Sequence, residues 1–242
     1  MQRTLDSWHS DNLGKDMPIV SYGFQGPAFL MFPSAAADYL EYERFYLVDS
    51  IKHHIESGRI RCFSINSINS ESWLNSEIEP RQKAIRHQQY NQYIVNEVYP
   101  YIKNLIDGQK LYTTGVSFGA LHALNTLLRR PDLFDGAIGM SGVYDLKEYA
   151  KGYFDEDVYF NSPMDYLPNL EDQNILSQLR NDKKIYLYTG SGDYEDPSGS
   201  WKMAEVLGQK QIPNFVECWD ETWKHDWPTW REMLPQAIEK YF

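Results

Sequence analysis

The chain has 242 residues, of which 42% are hydrophobic and 24% charged, so it is long enough and apolar enough to build a substantial core. Its 23 Lys and Arg residues are outnumbered by 34 Asp and Glu residues, which gives a formal net charge of -11. This acidity, without any basic run, argues against nucleic acids and anionic membranes as partners.

Two further patterns concern membranes and redox state. No apolar stretch reaches the roughly 20 residues that a membrane-spanning helix needs, and residues 1–17 lack the apolar core of a signal peptide. We therefore expect a cytoplasmic protein. Cys62 and Cys218 each lie in an apolar run typical of a strand, where we expect buried, reduced and inert thiols.

The first elements along the chain are a hairpin and a β-α-β step. A turn signal at residues 13–16 precedes a strand over 17–22, which indicates an opening antiparallel hairpin. Residues 27–32 (PAFLMF) form a continuous apolar run, as expected of a buried parallel strand. A helical spacing of apolar residues over 42–57 and a compact strand over 60–65 complete the step.

The remaining elements continue this alternation. The spacing predicts helices over 82–105, 120–129, 201–208 and 235–241, and strands over 111–114, 136–140, 185–189 and 215–219. Together they predict an α/β fold, with a mostly parallel, doubly wound sheet, helices on both faces and an antiparallel edge from the N-terminal hairpin. In residues 145–178 the apolar positions follow neither the helical nor the strand period, so we expect an irregular insertion near the functional site. No repeat or linker divides the chain, so we expect one domain over residues 1–242.

One motif between a predicted strand and a predicted helix carries chemistry. The run Gly115-Val116-Ser117-Phe118-Gly119 matches G-x-S-x-G, the nucleophile elbow of α/β-hydrolases. The two glycines have a steric reason, because the sharp turn brings neighbouring backbone too close for a side chain. The pattern therefore predicts Ser117 as a nucleophile at the start of a helix, whose dipole favours developing negative charge.

A serine hydroxyl needs a base, and in this fold the order along the chain is Ser, then Asp or Glu, then His. His225 lies after the last predicted strand, where the catalytic histidine of this architecture belongs. The acid is expected after the penultimate strand, in IYLYTGSGDYED. We predict Asp193, directly after a Gly-Ser-Gly turn, and keep Glu195 as the alternative.

Acyl transfer also needs two backbone N–H groups that bind the tetrahedral oxygen. The residue after the nucleophile, Phe118, supplies the first. The second is expected from the loop of Pro33, Ser34 and three alanines after the third strand, with Ala35 as the first choice and Ser34 as the next.

The sequence resembles an esterase family of α/β-hydrolases that includes mycolyltransferases, esterase D and feruloyl esterase domains. The resemblance is carried by LGKDMPI, FPSAAADYLEYE, YIVNEVYPYI, GVSFGALHAL and HDWPTW, which cover most of the chain in the expected order. It looks most similar to a bacterial esterase branch. The chain departs from the family at Pro33-Ser34, where His-Gly is common, and this leaves the second oxyanion donor open between Ala35 and Ser34.

The resemblance implies a Ser117, His225 and Asp193 triad with the amides of Phe118 and Ala35 as the oxyanion hole. It also implies a small-molecule ester as substrate and an acyl-enzyme intermediate. Acyl transfer to another acceptor on the same triad is the alternative, and a non-catalytic binding protein is disfavoured because all three triad types occur in order.

Two tryptophans and the scattered histidines bear on the substrate and on cofactors. Trp73 and Trp227 are candidates for an aromatic substrate pocket, although such residues more often pack in a core. No His, Cys or Asp cluster shows ligand spacing, so we expect neither a metal nor another cofactor. The sequence does not indicate an oligomeric state.

Overall fold

The structure is a computed structural model that describes residues 1–242. Its eight strands are, in chain order, Arg3–Ser10 (β1), Lys15–Tyr22 (β2), Ala28–Phe32 (β3), Arg61–Ile65 (β4), Leu111–Val116 (β5), Gly136–Met140 (β6), Lys184–Thr189 (β7) and Phe215–Cys218 (β8). They form one sheet in the order β1-β2-β4-β3-β5-β6-β7-β8. The pairs β1-β2 and β2-β4 are antiparallel, and all other pairs are parallel. The predicted fold class, with its antiparallel N-terminal edge, is confirmed.

The chain also forms twelve α-helices, of which the last follows β8. They span Glu41–Arg44 (α1), Leu47–Ser50 (α2), Lys52–Glu56 (α3), Pro80–Tyr93 (α4), Tyr99–Leu105 (α5), Phe118–Arg129 (α6), Lys147–Ala150 (α7), Glu156–Asn161 (α8), Pro163–Tyr166 (α9), Gln173–Asn181 (α10), Pro197–Gln209 (α11) and Trp227–Tyr241 (α12). A π-helical segment, Ile94–Val98, joins α4 to α5, and short 3-10 turns cover Asn69–Glu71 and Leu167–Asn169.

Helices cover both faces of the sheet, which explains why the central strands β3, β5 and β6 have no exposed residue. Strand β3 is buried along its whole length. Its residues Leu30 and Phe32 belong to a large core shared with α4, α5, α6, α10 and α11, whereas Phe29 and Met31 belong to a second core shared with α2, α3 and α12. Successive side chains of a strand point to opposite faces, so one strand contributes to both cores.

Two predicted helices differ in extent from the observed ones. The helix predicted over 42–57 is broken into α1, α2 and α3. Tyr46, left-handed with φ of 61°, separates α1 from α2, and Ile51, with φ of -105° and ψ of 8°, separates α2 from α3. The closing helix begins at Trp227 rather than at residue 235, because the Asp226 carboxylate accepts a hydrogen bond from the Trp227 N–H and caps the helix eight residues earlier along the chain.

Three other expectations can be compared with the structure. Residues 145–178, expected to be irregular, contain the short helices α7 to α9 and most of α10, with Asp155 and Asp172 as N-caps. Cys62 is buried as expected, but Cys218 is exposed because it lies on β8, the edge strand of the sheet. None of the helices combines the length and the apolar character required to span a membrane.

Candidate active site

Ser117 occupies a sharp turn between the end of β5 and the start of α6. Its φ of 53° and ψ of -120° are strained for a residue with a side chain. A Cβ on Gly115 would lie 2.3 Å from the backbone of Gly119, and a Cβ on Gly119 would lie 2.2 Å from the carbonyl oxygen of Phe32. Glycine is therefore required at both flanks, for the steric reason that the sequence motif indicated.

His225 reaches Ser117 from the loop between β8 and α12. Its Nε2 lies 3.0 Å from the Ser117 Oγ, and its side chain is 25% exposed. The backbone N–H of His225 donates to the carbonyl oxygen of Asp193 at 3.0 Å, and its ring packs edge to face on Trp230 at 5.1 Å. These contacts fix the loop and the ring, so the structure brings together the predicted nucleophile and base.

The carboxylate beside His225 belongs to Glu195. Its Oε2 lies 3.3 Å from the His225 Nδ1, and its side chain is only 1% exposed. The other oxygen, Oε1, accepts hydrogen bonds from the Ser141 hydroxyl and from the Gly190 N–H. Both oxygens of this buried carboxylate therefore have partners, as a buried charged group requires.

Ser141 is a site residue that the sequence did not reveal. It follows β6 in a left-handed conformation with φ of 50°. Its Oγ accepts a hydrogen bond from the Trp230 Nε1–H at 2.9 Å, so its own proton is directed to Glu195. Nothing in a lone serine after a small-residue strand signals this role, because the partners come from distant parts of the chain.

The position predicted for Asp193 requires a correction. Its carboxylate does not contact His225 but pairs with the Lys224 Nζ at 2.6 Å, and its side chain is 65% exposed. Between the two carboxylates, Tyr194 adopts a left-handed conformation with φ of 65°, which sends Asp193 to the solvent and Glu195 inward. Asp193 serves the site only through its backbone carbonyl.

The two predicted oxyanion donors both have free backbone amides. Phe118 is the first residue of α6, and neither its N–H nor that of Ala35 donates a hydrogen bond within the protein. The backbone N–H of the alternative, Ser34, already has a partner, because it and the Ser34 hydroxyl both donate to the Glu41 carboxylate, at 2.7 Å and 2.6 Å. Of the two residues left open by the sequence, only Ala35 retains a free amide.

A cleft of about 360 Å³ adjoins His225 and Glu195. Its lining comes mainly from the segments 141–149 and 194–202, and Met164 adds an apolar side chain. Part of the segment 145–178 thus lines this cleft. The lining carries four carboxylates and two lysines, and one of these lysines, Lys147, lies 3.6 Å from the Asp145 carboxylate.

The two predicted substrate tryptophans lie elsewhere. Trp73 is 2% exposed, donates its indole N–H to the His87 Nδ1 at 2.8 Å and packs in the same cluster as Phe118. It is a core residue, so the prediction that it contacts substrate is not supported. Trp227 is half-buried and stacks on Phe45 with ring centroids 4.4 Å apart, outside the lining of the cleft.

No three His, Cys, Asp or Glu side chains are placed together as a metal site would require. Burial lowers the pKa of His122 to about 3 and lowers that of His87 well below its ordinary value. These two histidines are therefore neutral in the core and are not bases for Ser117. That catalysis needs no metal or other cofactor stays a prediction.

Comparison with known proteins gives a family match over residues 86–239, more than half of the chain, to the prolyl oligopeptidase family. No curated protein sequence matches the chain. Among solved structures, a ferulic acid esterase is similar with a TM-score of 0.76 and 18% identity, over 98% of this chain and 96% of that one.

Two other solved structures are similar over nearly their whole length. S-formylglutathione hydrolase (FrmB) from Staphylococcus aureus has a TM-score of 0.69 and 15% identity, covering 98% of this chain and 96% of that one. MPT51 (FbpC1) from Mycobacterium tuberculosis has a TM-score of 0.68 and 13% identity, with 97% of both chains covered. At such identities the likeness establishes the fold, and the α/β-hydrolase resemblance seen in the sequence is confirmed at that level.

Proposed function

The chain belongs to the prolyl oligopeptidase family and is a serine hydrolase, and we propose that it cleaves carboxylic esters through an acyl-enzyme. Ser117 is the nucleophile, His225 the base and Glu195 the acid that orients the base. The observation that carries this proposal is the 3.0 Å contact between the His225 Nε2 and the Ser117 Oγ at a strained elbow. Residues 1–242 act as one catalytic domain built on the single sheet.

Acylation begins with neutral His225, whose Nδ1–H donates to Glu195. As the Ser117 Oγ attacks the ester carbonyl carbon, its proton passes to the His225 Nε2. The carbonyl oxygen becomes an oxyanion, which accepts hydrogen bonds from the Phe118 and Ala35 amides. When the tetrahedral intermediate collapses, His225 returns the proton to the departing alcohol and the acyl group remains on Ser117.

Deacylation repeats these steps with water. His225 takes a proton from the water as its oxygen attacks the acyl carbon, and the same two amides hold the second oxyanion. The bond to the Ser117 Oγ then breaks, and His225 supplies the proton that restores the serine hydroxyl. The products are one carboxylic acid and the free enzyme.

Glu195 supports this cycle by holding His225 in one tautomer and by stabilising the imidazolium that forms twice in each turnover. The hydrogen bonds from Ser141 and Gly190 fix its carboxylate in place, and Trp230 fixes Ser141 in turn. A preorganised carboxylate needs no rearrangement when charge develops on the ring.

The family match favours a second candidate, hydrolysis of a peptide bond by the same residues. An amine must then leave in place of an alcohol, and His225 protonates it in the same geometry. Acyl transfer is a third outcome, because an alcohol or amine acceptor can replace water in the second half-reaction. The triad chemistry is common to all three, so the substrate and the acceptor distinguish them.

A substrate panel tests the proposal. Purified protein is offered p-nitrophenyl esters of increasing acyl length, methyl ferulate and prolyl p-nitroanilides, each with and without added alcohol, next to a Ser117→Ala control. We expect ester hydrolysis that depends on Ser117 and yields free acid. Cleavage of the anilides alone establishes the peptidase, and a dominant transesterified product in added alcohol establishes the transferase. Ester turnover that survives in Ser117→Ala contradicts the mechanism.

A further inference from the structure

The loop that follows β3 holds Ala35 in an unusual conformation. Ala35 has a φ of 33°, a left-handed value that a residue with a side chain rarely adopts without support. Its carbonyl oxygen accepts two hydrogen bonds, from the Asn69 Nδ2 at 2.6 Å and from the Ser67 Oγ at 2.9 Å. The support for this conformation therefore comes from the segment after β4, more than 30 residues further along the chain.

Asn69 is in turn held by a histidine behind the elbow. It is completely buried, and its Oδ1 lies 2.9 Å from the His122 Nε2. Because Asn69 donates its amide to Ala35, its Oδ1 must accept, so the His122 Nε2 carries the ring proton. Burial keeps His122 neutral, with a pKa of about 3, and its Nδ1 has no partner. These contacts thus determine which ring nitrogen of His122 carries the proton and how the Asn69 amide is oriented.

His122 also touches the other side of the oxyanion hole. It lies one turn after Phe118 on α6, and the two rings pack with centroids 5.6 Å apart. The elbow itself abuts the loop, since a Cβ on Gly119 would meet the carbonyl oxygens of Phe32 and Pro33. A continuous path of contacts, from Phe118 through His122 and Asn69 to Ala35, therefore connects the two free amides.

We propose that Asn69 and His122 are positioning residues that hold the Ala35 N–H in the oxyanion hole. This inference rests on the ester-hydrolase function proposed above. Without the hydrogen bonds to its carbonyl oxygen, Ala35 can relax towards an ordinary negative φ. This change rotates the Ser34-Ala35 peptide and turns the Ala35 N–H away from the reacting oxygen. The effect falls on the transition state, because the ground-state carbonyl carries less negative charge than the oxyanion.

The test separates positioning from simple core support. Asn69→Ala removes the donor to Ala35, His122→Phe removes the contact that orients Asn69, and His122→Gln restores a side-chain N–H. Asn125→Ala is the matched control, because Asn125 is also a completely buried, hydrogen-bonded asparagine but contacts Tyr166 instead of the loop. Each variant is characterised by thermal unfolding, by kcat and KM on an activated ester, and by the Ki of a trifluoromethyl ketone.

We expect Asn69→Ala to lower kcat by about 100-fold, close to the loss of one oxyanion donor, with KM changed little. The Ki of the ketone, whose Ser117 adduct places an oxyanion in the hole, should rise by a similar factor. His122→Phe should act in the same direction, and His122→Gln should recover part of the loss. Asn125→Ala should lower the unfolding temperature while leaving kcat and Ki near those of the wild type.

Unchanged kcat and ketone affinity in folded Asn69→Ala overturn the inference, as does a loss in Asn125→Ala equal to that in Asn69→Ala. Should Asn69→Ala fail to fold, Ser67→Ala decides by the same criteria, because it removes the second donor to Ala35 and deletes only one hydroxyl oxygen. A wild type that neither hydrolyses esters nor binds the ketone refutes the proposed function itself, and the positioning role with it. Active wild type with equally active variants refutes the positioning role alone.

Discussion

The nucleophile elbow and the loop after β7 approach His225 from opposite sides, and they are built in different ways. The elbow is held by contacts within its own five residues and the strand beside it, where Gly115 and Gly119 leave no room for a Cβ. The loop after β7 is held by partners far along the chain: Ser141 binds Glu195, and Lys224 binds Asp193. A short motif therefore defines the first, whereas only the folded chain defines the second.

This difference explains why one site residue was assigned with ease and another was misplaced. In an extended chain, residues 193 and 195 point to the same side, so spacing alone does not choose between the two carboxylates. The left-handed conformation of Tyr194 breaks that equivalence. One carboxylate becomes a buried partner of His225 and the other an exposed partner of a lysine.

The largest effect is expected at the elbow. Ser117→Ala deletes the nucleophilic oxygen without altering the glycine-determined turn, so kcat should fall on the order of 10⁶-fold while the unfolding transition stays in place. Kinetics with an activated ester and labelling by a fluorophosphonate measure this loss. A protein that still becomes labelled after the substitution has its nucleophile elsewhere.

The loop after β7 gives the sharpest contrast. Glu195→Gln keeps the shape but removes the charge that stabilises the imidazolium, so kcat should fall roughly 10⁴-fold. Asp193→Asn removes an exposed partner of Lys224 and should cost less than about threefold, since exposed ion pairs contribute little. Steady-state kinetics on both variants, with circular dichroism as a control of folding, decide the matter. The reverse order of effects would make Asp193 the acid after all.

The steric argument for the elbow predicts a change in stability. Gly119→Ala places a Cβ 2.2 Å from the Phe32 carbonyl oxygen, and the backbone must shift, which should lower the free energy of unfolding by about 1–3 kcal/mol. Gly208→Ala is the matched control, because Gly208 lies in α11 with nothing within 4 Å of the added Cβ. That change should stabilise the protein by about 0.5–1 kcal/mol. Urea unfolding measures both, and equal stabilities would remove the steric account.

The smallest effect concerns the core behind the elbow at acid pH. The folded-state pKa of His122, about 3, and that of His87 lie below the unfolded value near 6.5, so the unfolded chain binds more protons between these limits. Their contribution to stability is complete above about pH 6.5 and is lost as the pH falls, by about 1.4 kcal/mol per pH unit for each histidine.

This pH dependence can be isolated by comparison of slopes. Burial raises the pKa of Glu41, and this makes the protein more stable as the pH falls. The measured change of unfolding free energy with pH is therefore the sum of opposing contributions. His122→Phe should reduce the loss of unfolding free energy between pH 6.5 and pH 5 by about 1.6 kcal/mol relative to the wild type. Urea titrations at several pH values measure it. Parallel curves for the two proteins would mean that His122 titrates normally in the folded state.

Much of the fold was accessible from the sequence. Local patterns predicted seven of the strands within a few residues. For the central parallel strands the pattern is a continuous apolar run, because these strands are buried on both faces. The early start of α12 was not accessible in this way. It depends on the Asp226 cap, and because Asp226 directly follows His225, the sequence assigns it to the loop that carries His225 and not to the helix.

By itself, the sequence determined the α/β architecture, the elbow at Ser117 and the place of His225 in the chain, because these depend on patterns of neighbouring residues. The tertiary structure decided which carboxylate faces His225, and it added Ser141 to the site. It also showed that Ser34 has no free amide while Ala35 has one, and that Trp73 is a core residue. Each of these depends on contacts between residues many positions apart, and burial and hydrogen-bond partners of that kind exist only once the chain has folded.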